Sequence, residues 1–465
     1  MSSRVVVSEL MERLRWPAAR LAAYQRDQLD GLVRHAVANS PYYRRVLGSG
    51  AASGGIPLHE LPTLTKTTLM EHFDEIVTDD RLRRGAAEAR LASAQRPDSQ
   101  RPDSQSTGDY RVFATSGSTG RRGIFVYSRA EFTRWVAAHT RMLLVMGVTP
   151  DTRVAAIGAP SPLHLSRQMF AELTSGRAVS APELSVTTPL PETVAVLNAY
   201  RPDAISTYAS TAALLAEEQL AGRLRIAPAM VATGAETLTD DMRQRIRDAW
   251  DREPHQAYLA TEAPLLASTC AETGTETGTE TRAKQAGLHL WEDLTVAEVV
   301  DEHGQPVPPG VPGHKVLITS LVNHTQPLIR YELSDSVTLA DGPSPAGFPF
   351  RRLTAVEGRS DDIITMPADS GGTVAVHPLR LRAPFATFRE VVQYQITHDG
   401  ELTARVVLRP DAPRDTTERV RTALVRALRE AGARPPLITV TAVPAIDREG
   451  GHAAKFKLIR VRPRA

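Results

Sequence analysis

Between Leu21 and Leu47 apolar residues recur at helical spacing, with Leu29, Leu32, Val33 and Ala36 on one face. The run breaks at Ser40-Pro41-Tyr42-Tyr43, as a helix followed by a proline turn does, and the segment reads as a helical lid or brace. Farther along, short β-branched runs (Arg153 to Ile157, Ala204 to Thr207, Met230 to Thr233) alternate with amphipathic stretches (Ala130 to Leu144, Thr211 to Leu220, Thr239 to Ala249). That alternation predicts an α/β layered core with largely parallel strands. After Trp291 consecutive strands are expected at Val296 to Val300, Lys315 to Thr319 and Ser336 to Leu339, separated by turns such as His303-Gly304 and Pro308-Pro309-Gly310. These read as a small, mostly β subdomain spanning about residues 290–357. From Ser360 onward, strands at Val391 to Thr397, Leu402 to Leu408 and Leu437 to Val443 surround a helix at Asp415 to Ala431. The expected organisation is a large α/β domain over residues 1–359, opening on a helical segment 1–60, and a small α+β C-terminal domain over residues 360–465.

The chain has 465 residues, enough for several cores. Its 55 Lys and Arg nearly match its 53 Asp and Glu, leaving a formal charge of +2, so no strong field marks it for nucleic acid or a membrane surface. The partners expected are small molecules. Cys270 is the only cysteine, which excludes an intramolecular disulfide and a cysteine-based zinc site and fits a reducing cytoplasm. Met1 to Arg15 lacks the apolar core of a signal peptide, and no window approaches the roughly eighteen uninterrupted apolar residues of a membrane span. Two tandem duplications, Arg96 to Gln105 and Thr273 to Thr281, are polar and without aromatics and read as surface insertions.

The strongest local signal is Thr115-Ser116-Gly117-Ser118-Thr119-Gly120, followed by Arg121-Arg122-Gly123 and the strand-like Ile124 to Tyr127. Glycines let backbone N–H groups converge and hydroxyls add donors, which is what a polyphosphate requires. By itself such a loop is more often a hairpin turn, and it lacks the Gly-Lys-Ser/Thr ending of a P-loop NTPase.

The loop resembles the phosphate loop of the adenylate-forming superfamily of acyl-CoA synthetases, adenylation domains and luciferases, and its surroundings resemble the phenylacetate-CoA ligase-like branch. Leu61-Pro62-Thr63-Leu64-Thr65-Lys66 is similar to that branch's entry motif, and His35-Ala36 with Ser40 to Tyr43 to its N-terminal helix. Gly234-Ala235-Glu236 resembles the segment beside adenine, Tyr258-Leu259-Ala260-Thr261-Glu262 the aromatic-Gly-x-Thr-Glu motif, and Pro327 to Tyr331 through Asp335 the ribose-binding stretch. Gly358-Arg359-Ser360-Asp361-Asp362 is similar to the hinge motif, and Gly450-Gly451 through Lys455 and Lys457 to the C-terminal Gly-Lys motif. These ordered matches run from about residue 25 to 460.

The resemblance implies an enzyme that uses ATP and Mg²⁺ to join a small acid to AMP. Glu262 would hold Mg²⁺ and Thr261 would donate to the α-phosphate. Asp335 would accept the ribose hydroxyls, Arg359 would neutralise phosphate or ribose oxygens, and Tyr258 would lie beside the nucleotide. Asp361 would be the pivot of a mobile C-terminal domain, and Lys455, with Lys457 as the alternative, would bridge the acid and ATP. The acid pocket is expected at His164, Met169, Tyr208 and Ser210, bounded by Tyr258 and Ala260, and suits a small aryl acid bearing a hydroxyl or amine.

Three positions depart from the family pattern: Leu259 stands for the usual glycine, Glu332-Leu333-Ser334 for the residues before Asp335, and Arg121-Arg122 for those after the loop. The acceptor is accordingly left open. Coenzyme A is the default co-substrate, a carrier protein is an alternative, and the branch also resembles ATP-dependent diazotases, which activate nitrite and convert an aryl amine to a diazo product. A rival from another class is a non-catalytic nucleotide-binding relative.

Overall fold

The computed structural model describes residues 3–48, 50–51, 54–93, 110–115, 122–161, 164–174, 182–270, 287–359, 362–448 and 455–461. Both tandem duplications lie outside these residues, as do Ser116 to Arg121, Asp361 and Gly450 to Ala454. Among the described residues no helix is long and apolar enough to cross a membrane.

Helices Ser3–Arg13, Ala18–Asn39 and Pro41–Leu47 brace the molecule from its N-terminal side. Leu21, Leu32, Val33 and Ala36 bury one face of the second helix, and Ser40 caps the third by accepting from Tyr43 N at 3.3 Å. Strands β1 (Tyr110–Ala114) and β2 (Ile124–Ser128) pair as an antiparallel hairpin whose connection carries the Ser/Thr/Gly loop. The free edge of β2 is satisfied by side chains. Val126 donates to Gln326 Oε1 at 3.0 Å and accepts from Asn323 Nδ2 at 3.1 Å, while Ile124 O accepts from Gln326 Nε2 at 3.2 Å. Ser128 then starts the Arg129–Val145 helix through a capping box with Glu131, whose second oxygen accepts from His324 N and Thr325 N at 2.8 and 2.9 Å. One carboxylate thus ties hairpin, helix and distant loop together.

Strands β3 (Val154–Gly158), β4 (Glu183–Ser185), β5 (Ala204–Tyr208), β6 (Met230–Gly234) and β7 (His255–Tyr258) run parallel. Strands β8 (Ala267–Ser268) and β9 (Leu288–Leu290) extend them antiparallel. Strands β10 (Thr295–Val300), β11 (Lys315–Ser320) and β12 (Tyr331–Leu333) form a separate three-stranded sheet, but β13 (Asp335–Leu339) and β14 (Arg352–Arg359) join the large one. Its order is β13-β14-β9-β8-β7-β6-β5-β3-β4. The strands after Trp291 therefore divide between two sheets, because β14 pairs with β9 at Arg352 and Leu353. On β3 and β5 the alternation is strict: Ala155, Ile157 and Ile205 pack against Val194, Leu197 and Leu215 on one face, while Val154 and Ala204 face the Arg129–Val145 helix on the other.

Residues 364–459 have a core of their own. Strands β15 (Ile364–Pro367) and β16 (Thr373–Val376) form a hairpin, and β17 (Val391–His398), β18 (Leu402–Leu408), β19 (Ile438–Ala442) and β20 (Ile459–Val461) form a sheet of order β19-β18-β17-β20. The Thr416–Glu430 helix covers it with Val420, Leu424 and Leu428, spaced by one helical turn each. This unit meets the rest of the chain through charged groups. Arg245 donates to Val391 O at 2.6 Å and to Val392 O, and Arg409 pairs with Glu217 at 2.8 Å.

Candidate active site

Tyr208, Gly234 and Tyr258 are the last residues of β5, β6 and β7, and all three border a cavity of 760 Å³. Open parallel sheets bind ligands at this carboxyl edge, where loops diverge and backbone groups are unpaired. Ala235, directly after β6, has φ of 64°, a left-handed conformation that costs a residue with a Cβ about 1–2 kcal/mol. The turn ends the strand and delivers Glu236 to the cavity rim. A Cβ on Gly234 would lie 3.3 Å from Ala257 O and 3.4 Å from Leu259 Cδ1, so the bare glycine accommodates the leucine that departs from the family pattern.

On the polar side, Asp335 and Arg359 are direct partners across β13 and β14, with Arg359 Nε 3.6 Å from Asp335 Oδ1. Tyr258 OH donates to Asp335 Oδ2 at 2.8 Å. Burial, reinforced by this carboxylate, holds the Tyr258 phenol well above its ordinary pKa and keeps it a donor. Glu262 is 7% exposed, and Tyr331 OH lies 3.5 Å from its Oε1. The loop carrying it is pinned by Tyr127 OH, which donates to Thr261 O at 2.7 Å and to Glu262 O at 3.0 Å. Burial raises the Glu262 pKa against the opposing fields of Lys66 and Arg359, and Asp335 pushes it the same way as burial.

Lys455 also lines the cavity. Burial, then Arg359, depress its pKa, while Asp335, Glu236 and Glu262 oppose them, so its ammonium sits among three carboxylates and one guanidinium. Lys457 borders the same cavity but directs Nζ toward Asp362 Oδ1 at 3.8 Å. Among the described residues no three His, Cys, Asp or Glu side chains form a metal cage. A single carboxylate such as Glu262 leaves a hard divalent cation to take its remaining oxygens from phosphate and water.

Thr115 closes the hairpin loop: its N–H donates to Gly123 O and its Oγ1 accepts from Gly123 N, both at 2.9 Å. Ser116, Gly117, Ser118, Thr119, Gly120 and Asp361 are outside the described residues. Thr261, Ala260, His164, Tyr208, Ser210 and Met169 all border the cavity. His164 Nδ1 accepts from Ser166 N at 3.3 Å, starting the Leu165–Thr174 helix. Glu236 and Ser210 have more specific partners than the sequence suggests. Glu236 Oε2 accepts from Ser210 N and Oγ at 3.1 and 2.6 Å, and Oε1 accepts from Arg448 Nη1 at 2.9 Å and Phe456 N at 2.6 Å. Arg448 also donates to Ser210 Oγ and Thr211 Oγ1 at 2.8 and 2.6 Å. This clasp joins the segment bearing Lys455 to the end of β6.

The sequence reading misses Lys66 as a cavity cation, Arg448, and a deeper apolar arm. On β3, β5 and β6 the cavity is bordered by the small side chains of Ala156, Ser206 and Ala232. The three are neighbours in register, and Ser206 alone in β5 is exposed, so they form a floor of small side chains. His139, Met142 and Met146 form a wall over it, at spacings that place them on one helix face. That spacing was the available signal, but it is shared by any core-facing helix.

Residues 55–320 match the family described as AMP-binding enzyme. The chain is 25% identical to phenylacetate-coenzyme A ligase of Thermus thermophilus, over 82% of this chain and 78% of the relative. It is also 25% identical to phenylacetate-coenzyme A ligase of Escherichia coli, over 82% and 80%. The fold is similar to the crystal structure of 2-hydroxyisobutyryl-CoA ligase in its postadenylation state, with 20% identity, 97% of this chain and 91% of that one covered, and a TM-score of 0.73. Against the same ligase in its thioesterification state the TM-score is 0.59. With the family match spanning more than half of the sequence and its motifs gathered around one cavity, the chain belongs to the AMP-binding enzymes, the adenylate-forming superfamily, in its phenylacetate-CoA ligase-like branch.

Proposed function

We propose that the protein activates an aryl carboxylic acid with ATP as an acyl-adenylate and transfers the acyl group to coenzyme A. In the first step a carboxylate oxygen attacks the α-phosphorus, the bond to the bridging β-phosphate oxygen breaks, and pyrophosphate leaves. In the second the thiol sulfur attacks the acyl carbon, AMP departs, and the thiol proton is released. The observation that carries the reading is the convergence of Glu262, Asp335, Arg359 and Lys455 on one cavity with an apolar arm beside them. Asp335, oriented by Tyr258 and Arg359, would accept the ribose hydroxyls. When bound, Mg²⁺ would supply charge neutralisation on the phosphate oxygens, and Glu262 would be the carboxylate that holds it. Lys455 would hold the attacking carboxylate against the α-phosphate, stabilising charge that develops in the transition state. Thr261 would donate to the α-phosphate, and the loop Thr115 to Gly120 would cradle the outer phosphates.

The relatives named for phenylacetate and coenzyme A support this choice of acid and acceptor. Residues 360–465 would turn about Asp361 between the two steps, a reading supported by their separate core and charged contacts with the rest of the chain. The test is pyrophosphate exchange into ATP across a panel of acids, followed by AMP release with coenzyme A and mass analysis of the product. A CoA thioester is the expected result. AMP release that instead requires nitrite and an aryl amine, with no use of coenzyme A, assigns the diazotase reaction. No exchange with any acid while nucleotide still binds assigns the non-catalytic reading.

A further inference from the structure

Two polar side chains border the arm, the hydroxyl of Ser206 in its floor and the imidazole of His139 in its wall, and the imidazole is the buried one. His139 is 7% exposed, on the Arg129–Val145 helix, among Met142, Met146 and the floor of small residues. Its Nδ1 lies 2.9 Å from Trp135 O. A carbonyl oxygen only accepts, so Nδ1 carries the proton and the other ring nitrogen presents a lone pair. Burial pushes the imidazole down to about 4, which keeps that nitrogen unprotonated at neutral pH. Nε2 has no hydrogen-bond partner among the described residues, yet it is not sealed from solvent as the neighbouring Trp135 Nε1 is. His139 itself lines the cavity, which puts that nitrogen within reach of a ligand there.

From this we infer that His139 is a specificity-determining residue: its Nε2 accepts a hydrogen bond from an O–H or N–H on the ring of the bound acid, so the substrate class is hydroxy- or amino-substituted aryl acids. The inference rests on the acyl-adenylate reading above. The geometry limits the class in two ways. The arm lies between a helix and a sheet face stripped to Ala156, Ser206 and Ala232, a slot that admits a flat ring. Its floor is two residues below the ends of β5 and β6, or about 7 Å, roughly the span of a benzene ring with one substituent. A ring with only a methyl, methoxy or hydrogen at that position would desolvate Nε2 without supplying a donor to it, an asymmetry that discriminates strongly in enclosed sites.

Pyrophosphate exchange with benzoate and phenylacetate and their hydroxy, amino, methyl and methoxy derivatives tests this on the wild-type enzyme and on His139→Leu and His139→Gln. The expected result is a kcat/KM at least about tenfold higher for a hydroxy or amino acid than for its methyl and methoxy counterparts. His139→Leu should erase that preference through the KM for the acid, leaving the KM for ATP unchanged, and His139→Gln, which restores an acceptor, should recover part of it. Equal use of methyl or methoxy acids by the wild type overturns the inference without any variant having to fold, and so does a preference that survives in His139→Leu. Exchange with nitrite or an aliphatic acid but with no aryl acid overturns the role of His139 and leaves adenylation standing. Exchange with no acid at all removes the adenylation reading and this inference with it.

Discussion

At the carboxyl edge of the parallel strands the cavity is lined by Glu262, Asp335, Arg359 and Lys455, each positioned by a charged or hydrogen-bonded partner. Two residues deeper it is lined by Ala156, Ser206, Ala232 and the methionines of one helix, which are positioned by packing alone. The first region is specified by residue types that have few substitutes, because only a carboxylate, a guanidinium or an ammonium does what each does there. The second is shaped mainly by volume, which many residue combinations enclose equally well, with the proposed His139 contact as its polar exception. On the proposed function, chemistry and selectivity would be built by different physics within one cavity, and each should be open to perturbation without the other.

The sharpest break between them is at Lys455. Lys455→Ala should lower the rate of pyrophosphate exchange by about 10²–10³-fold, the loss expected when one preorganised charge facing the transition state is removed. Lys457→Ala should change it by less than about threefold, because that ammonium faces Asp362 at 3.8 Å, partly exposed, where ion pairs contribute little. Rate measurements at saturating ATP and acid check both, and a reversed order would transfer the catalytic role to Lys457.

Glu262→Gln should lower exchange by about 10²-fold, since the carboxylate proposed to hold the cation is lost. It also separates activity from stability. A raised carboxylate pKa means the folded state keeps its proton to higher pH than the unfolded chain does. The ligand-free protein therefore loses stability as pH rises from the ordinary glutamate range through the folded pKa of Glu262. The neutral amide lacks this penalty, so at pH 8 ligand-free Glu262→Gln should be more stable than wild type, with the difference shrinking toward pH 5. Thermal unfolding at pH 5 and pH 8, with and without MgATP, measures it; a variant less stable than wild type at pH 8 contradicts the buried, uncompensated charge.

The same contrast explains what could be read from the sequence. Glu262, Asp335, Arg359 and Lys455 stand in short motifs whose glycines, threonines and charges keep their spacing, so they were legible before any fold was known. Periodicity placed the Arg129–Val145 helix and strands β3, β5 and β6 within a residue or two. Periodicity does not say what a strand pairs with, and β14 joins β9 through Arg352 and His289, 63 positions apart, so the division of the late strands between two sheets was not legible. His139 looked like any histidine on an apolar helix face, and its proposed role depends on Trp135 O and on the cavity it lines. Arg448 meets Glu236 from 212 positions away, and although Glu236 lies in a recognisable motif, nothing around Arg448 announces the pairing.

Filling the floor acts on the deep region alone. Ala232→Leu adds three heavy atoms between the sheet and Met142, where the small side chain leaves room for the acid. The KM for aryl acids should rise about tenfold or more, as each methylene-sized clash in a binding pocket is worth about 1–3 kcal/mol, while the KM for ATP should stay within about twofold. A parallel rise in both constants would mean that the two regions are mechanically coupled rather than independent.

The smallest effect expected, and the one most informative about movement, concerns the clasp. Glu236 accepts from Arg448 and Phe456 N, the residue after Lys455, and its side chain is 6% exposed. Holding Phe456 holds Lys455, so on the proposed mechanism the clasp would favour the adenylating arrangement. Glu236→Gln keeps the shape and the Oε1 acceptor but removes the charge that Arg448 neutralises and the Oε2 acceptor for Ser210 N. Pyrophosphate exchange should fall by about threefold to tenfold, the loss of one charge-assisted contact of about 1 kcal/mol. Thioester formation from a synthetic acyl-adenylate and coenzyme A should be unchanged or faster, because the proposed second step requires the clasp to open. If Glu236 instead contacts adenine, the KM for ATP rises and both half-reactions fall together.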